Sequence, residues 1–178
     1  LKKYLVQFKP FLIFIGTFFA AYILLTIVYK LYLNSFDPID VDGISRIVGR
    51  NVESLMLLFN CDIHIVKSLA QPCLEVWYNN KFTIRIIEGC NAVSVIILFI
   101  SFVLAFSGKL KTTLFFILFG TLFIYVLNII RIALLTVLLF NYPQHEHILH
   151  GVLFPLIIYG IVFSLWVIWV NKFSKYAK

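Results

Sequence analysis

Four apolar stretches, residues 10–33, 91–107, 112–140 and 148–170, leave this chain few ways to fold. A helix needs roughly 20 residues to cross a hydrocarbon core about 30 Å thick, so each stretch reads as a membrane span, the second short and the third long. Only 13% of the residues are charged and the mean hydropathy is +0.99, against about 25% charged in soluble domains. The sequence predicts an all-α polytopic membrane protein, one domain over residues 1–178 with a non-spanning region at 34–90. Ahead of the first run, "LKKYLVQFK" resembles the basic start of a signal peptide. The apolar run is longer than a signal core and no A-x-A site follows it, so it reads as an uncleaved anchor.

A net charge of +7 raises the question of nucleic acid, and the placement of the charges answers it. Lys2, Lys3, Lys9, Lys109, Lys111, Lys172, Lys175 and Lys178 occupy the two tails and the loop "GKLKTT", with no acid among them. All the acids, Asp37, Asp40, Asp42, Glu53, Asp62, Glu75, Glu88 and Glu146, fall in or beside the other two connections. The positive-inside rule then makes both termini and the 107–112 loop cytoplasmic and turns 34–90 and 141–147 outward. These are topogenic cations, not a basic face for nucleic acid.

Within the outer region, Ile44, Ile47, Val48, Val52, Leu55 and Leu58 recur at helical spacing opposite Arg46, Arg50, Asn51 and Glu53. An amphipathic helix follows, lying at the membrane surface or packed on the bundle. The runs "CDIHIVK", "CLEVWY" and "KFTIRII" alternate like short strands, and Asn79-Asn80 suits a tight hairpin, so a small β meander is expected before residue 90. Cys61 and Cys73 stand at strand starts in an outward region, where a disulfide between them would be worth about 3 kcal/mol. That pairing leaves Cys90 as the odd thiol; the alternative bridges Cys90 to one of them.

Cys90 opens the second apolar run, where unpaired N–H groups and the positive end of a helix favour a nucleophilic sulfur. Small apolar filler is the competing role for a cysteine there. Arg131 in "YVLNIIRIALLTVLLF" is flanked on both sides by apolar sequence. An arginine at a helix centre costs about 2.5–3.5 kcal/mol, which marks it as functional unless it snorkels to the headgroups. At about 1.5 Å per residue it lies roughly 28 Å from the inner surface, level with Cys90, and Asn128 three positions earlier shares its face. In "HEHILHG", His145, His147 and His150 match no zinc motif, so no metal or other cofactor is called for. One neutral imidazole there would serve proton transfer, with His147 and His150 on one helical face. A thiol, a guanidinium and an imidazole from three spans are the elements of cysteine attack on an amide.

"IRIIEGCNAVSVIILF", "NIIRIA" and "HILHG" together resemble the signatures of the exosortase and archaeosortase family of membrane-embedded cysteine transpeptidases. The short four-span layout is most similar to the Bacteroidetes branch called exosortase F. The resemblance covers roughly residues 80–165 and implies Cys90 as nucleophile, Arg131 with Asn128 from the N-x-x-R motif, and His147 with Gly151 from the H-x-x-x-G motif. His150 has no counterpart and stands as the alternative histidine. Asn91 and Ala92 replace the family's Ser-Gly, and most members have about eight spans. The implied activity is cleavage of a C-terminal hydrophobic sorting segment of other membrane proteins at the outer face of the bacterial cytoplasmic membrane. It runs through a thioester that water, an amine or a lipid or glycan acceptor resolves. A non-enzymatic assembly or scaffold protein of an envelope or exopolysaccharide system is the alternative, with Cys90 only packing; a transporter is disfavoured because no acid pairs with the buried cation.

Overall fold

The computed structural model describes residues 2–106 and 108–174. Ser107, at the end of the expected second span, and Lys175 and Lys178 of the basic tail lie outside the described residues. The fold is mostly helical: α1 (Lys2–Leu33), α2 (Gly43–Leu58), strands β1 (Ile63–Lys67), β2 (Leu74–Tyr78) and β3 (Lys81–Ile86), then α3 (Val93–Ala105) and α4 (Leu110–Asn141). A single turn, α5 (Glu146–Ile148), leads through a π turn at Leu149–Leu153 into α6 (Phe154–Lys172).

Three segments are long and apolar enough to cross a membrane, Phe8–Leu33, Leu110–Asn141 and Pro143–Lys172, which makes this a membrane protein. The expected span at 91–107 departs from that pattern. Its helix, α3, has 13 residues and so is only about 20 Å long. Apolarity continues through the stretch, but Ala92 takes a left-handed conformation with φ 65° and Phe106 an extended one, and these cut the helix at both ends. The structure therefore gives three full-length candidates and a short α3, not four equal spans.

Aromatic packing sets α1 antiparallel to α3. Phe14 meets Phe106 and Phe102 with ring centroids 4.6 and 5.9 Å apart, while at the opposite end the Asn91 amide donates to the Tyr29 hydroxyl at 2.8 Å. Between α3, α4 and α6 lies a core of Phe99, Val103, Ile124, Val162 and Trp169. Gly120 is required here, because a Cβ on it would run into the Phe99 ring. The Trp169 indole N–H donates to the Phe106 carbonyl at 3.2 Å. An isolated bridge between Gly108 and Ser174 brings the α3–α4 connection beside the end of α6.

At the other end, α2 starts at Asp42, whose carboxylate accepts the Ser45 N–H at 2.9 Å as a helix cap. It buries Ser45, Val48, Gly49, Val52 and Met56 against β1, β2 and α4. The buried stripe is rotated from the expected one, for Ile47 is 52% and Leu58 79% exposed. The Asn51 amide bonds the Tyr125 hydroxyl of α4 at 2.8 Å, so this helix packs on the bundle. Asp40 pairs with Arg46 at 2.6 Å and with Lys67 at 2.8 Å, joining the loop before α2 to β1. Hydrogen bonding from Lys67, then from the Val41 N–H, holds the Asp40 carboxyl below its ordinary range.

The sheet is an antiparallel meander in the order β1-β2-β3. Asn79 and Asn80 have φ of 49° and 59°, the positive pair that a two-residue hairpin needs and asparagine tolerates. The pairing of Ile63 with Tyr78 and of Lys67 with Leu74 puts Cys61 at one end of the β1-β2 ladder and Cys73 at the other. All three cysteines are free. At about 3.3 Å per residue the ladder keeps those two roughly 20 Å apart, beyond the reach of a disulfide, so the expected Cys61–Cys73 bridge is not formed.

Candidate functional site

The chain leaves β3 at Ile86 and makes one 3-10 turn, Glu88–Cys90, whose closing bond runs from the Cys90 N–H to the Ile87 carbonyl at 2.8 Å. Cys90 thus lies three residues ahead of α3 and outside its first turn, contrary to the expected helix-start geometry. Asn91 fixes this junction. Its amide donates to Tyr29 at 2.8 Å and Ser45 at 3.3 Å, and its carbonyl oxygen accepts the Val93 N–H at 3.0 Å. With its polar groups committed to α1, α2 and α3, Asn91 pins the turn and does not line the site. Ala92 completes it in a conformation that costs a non-glycine residue about 1–2 kcal/mol.

Cys90 is 7% exposed. It packs in the core of Ile86, Ile129 and Ile132, and one side lines a cavity of about 440 Å³. β3 and the following Ile87 line it, together with Ile132, Leu135 and Leu139 of α4 and with Glu146 and His150. Arg131 reaches the same cavity. Asn128, 1% exposed, connects the two: its amide donates to the Cys90 carbonyl at 2.7 Å, and its carbonyl oxygen accepts from the Arg131 guanidinium at 3.4 Å. The Arg131 Nε is buried and has no hydrogen-bond partner among the described residues.

Of the histidines, His150 lines the cavity and His147 does not. Glu146, His147 and His150 are all exposed; the passage from α5 into the π turn puts Glu146 and His150 on the cavity and leaves His147 off it. His145 is exposed too, edge-on to Tyr142 with centroids 6.2 Å apart. Gly151 has nothing within 4 Å of the place a Cβ would occupy, so no close approach explains a glycine there. The structure therefore brings together Cys90, Arg131, Asn128 and His150, and leaves His147 and Gly151 outside the cavity.

Sequence reasoning missed Arg85 and Glu146, both in the cavity wall. A signal existed for Glu146, the only acid after residue 90. Arg85 reads from sequence as an ordinary outward-facing strand residue. A thiol, a guanidinium and an imidazole with a nearby carboxylate can support acyl transfer: the sulfur as nucleophile, the cation for oxyanion charge, the imidazole for the proton. In comparison with known proteins, no family model, no curated protein and no solved structure matches the chain.

Proposed function

We propose that this chain is a membrane-embedded cysteine peptidase or transpeptidase of the exosortase type. The observation that carries the reading is the Asn128 bridge, which ties the Cys90 backbone to the Arg131 guanidinium at the edge of a cavity that also holds His150. The Cys90 thiol gives its proton to His150 as Sγ attacks the scissile carbonyl, and Arg131 offsets the charge on its oxygen. The C–N bond then breaks, the departing amine takes a proton from the His150 imidazolium, and the retained segment stays on sulfur as a thioester. Water or an amine adds to that carbonyl as His150 takes its proton, and the thiolate leaves and regains the proton from His150. Glu146 lines the same cavity. His150 takes the place that motif spacing alone assigns to His147.

The substrate class is a membrane protein with a C-terminal hydrophobic segment, cut at the outer face of a bacterial cytoplasmic membrane. Support for this orientation is the grouping of Lys109, Lys111 and Lys172 around the Gly108–Ser174 bridge, the end opposite Cys90. The test compares membrane proteins from cells carrying wild type or Cys90→Ala at equal abundance. Uncut proteins with hydrophobic C-terminal tails should accumulate in the variant; identical C-termini in both would refute the activity. The burial of Cys90 favours a second reading, an assembly protein in which the cysteine only packs. An impermeant thiol reagent separates the two, since a packed cysteine stays unlabelled.

A further inference from the structure

A three-stranded sheet has two outer edges, and this protein treats them differently. At β1 the outward N–H of Ile65 donates to the Glu53 carboxylate of α2 at 3.0 Å, and α2 lies alongside. At β3, which α4 also adjoins, no further strand is paired among the described residues. Register tells which backbone groups face out. The Ser68 N–H bonds the Cys73 carbonyl and the Asn79 N–H the Asp62 carbonyl, so the odd-numbered positions of β2 serve β1. Antiparallel strands alternate these bonds between neighbours, so Leu74 and Val76 serve their partners Ile86 and Ile84. The N–H and C=O of Arg85, between those two, point away from the sheet, on the stretch that walls the Cys90 cavity.

We propose that the open edge of β3 is the substrate-binding element, and that an extended polypeptide pairs with it as a fourth strand, placing its scissile bond at Cys90. This rests on the catalytic reading above and names what that site takes. Three features favour an extended peptide over a helical or non-peptide ligand. An unpaired edge offers a main-chain donor and acceptor together, which suits a strand. The edge leads along the chain toward Cys90, five residues beyond Arg85. Leu135 and Leu139 line the cavity, suiting the alternate side chains that a bound strand turns inward.

The test uses the full chain in lipid nanodiscs and reads alkylation of Cys90 by site-resolved mass spectrometry. One reagent is a pool of acetyl-tripeptidyl chloromethyl ketones, the other chloroacetamide, which has no strand to pair. Arg85→Ala removes the side chain and keeps the N–H; Arg85→Pro also removes the N–H, at an edge position where proline leaves the β2 bonds in place. Relative to chloroacetamide, the peptidyl pool should be favoured about tenfold by wild type; whatever Arg85→Ala loses measures the side chain, and the remaining advantage should vanish in Arg85→Pro. Probes N-methylated at alternate nitrogens should lose it on wild type, a result that needs no variant. Persistence of the advantage with N-methylated probes, or its absence from wild type, overturns strand pairing while Cys90 still reacts with chloroacetamide. If Cys90 resists both reagents, the catalytic assignment falls and the pairing with it.

Discussion

Removing the Asn128 side chain should unlock the turn that carries Cys90. Asn128→Ala deletes the 2.7 Å bond to the Cys90 carbonyl and the 3.4 Å contact with Arg131. The longer contact is weak, so the cost lies with the carbonyl, buried and left without a donor, at about 1–3 kcal/mol. Cys90 is 7% exposed, with one side on the cavity, and a reagent too bulky for that cavity reaches it when the 88–92 turn opens. Making that opening about 2 kcal/mol easier speeds labelling roughly 30-fold. The assay is site-resolved alkylation by a maleimide carrying a bulky polar group, under conditions where opening is a pre-equilibrium. Cys73, 1% exposed, is the internal control, because global loosening would speed both sites. Asn128→Asp keeps the size but sets a carboxylate against the carbonyl, and should label at least as fast. Labelling of Cys90 within about threefold of wild type in both variants would show that the Asn128 bond does not hold the turn.

Arg131→Lys should process substrate almost as poorly as Arg131→Ala at equal abundance, because an ammonium lacks the planar fork that meets Asn128 and a carbonyl oxygen together; wild-type processing by the lysine variant would favour snorkelling. Alanine at His150 should abolish processing, while alanine at His147 or His145 leaves most of it; the reverse order would restore the assignment by motif spacing. For Asp40 the folded pKa is lowered from 3.8, so its contribution is complete above the unfolded value and is lost as pH falls through the lower folded one. Limited proteolysis of the 37–42 loop should therefore quicken below about pH 4 in wild type and be quick at every pH in Asp40→Asn. Gly120→Val should force the Phe99 ring from its seat and cost about 1–3 kcal/mol by overpacking, read as a lower unfolding midpoint in detergent.

The elements governed by local pattern were legible in the sequence. Asn79-Asn80 announced the hairpin because few other residues accept positive φ, and alternating side chains announced the strands. Longer-range relations were hidden. Nothing in "CDIHIVK" or "CLEVWY" says which of their residues pair, and the register alone parts Cys61 from Cys73. The α2 stripe was misphased because Ser45 and Gly49 face the core, where small residues allow close approach, and Ile47 was counted in their place. Helical counting also failed for the histidines, since the chain passes from a 3-10 turn through α5 into a π turn and no single angle per residue holds across 143–153. The link between Asn128 and Arg131 was visible from their spacing; the stronger bond from Asn128 to Cys90 joins residues 38 positions apart and was not.

The brevity of α3 has a consequence for any bilayer that surrounds it. A helix of about 20 Å beside a hydrocarbon layer of about 30 Å leaves a hydrophobic mismatch near 10 Å on that sector, while α4, with 32 residues, is longer than the layer is thick. Coil at hydrocarbon depth survives only where its polar groups are satisfied, and Asn91, Asn128 and Trp169 do this at the two ends of α3. Lipids next to a short belt yield by thinning, at fractions of a kcal/mol per Å. On the proposed reading, such thinning would draw headgroups and water down toward the thiol, and acyl-chain length would become a variable of the proposed chemistry.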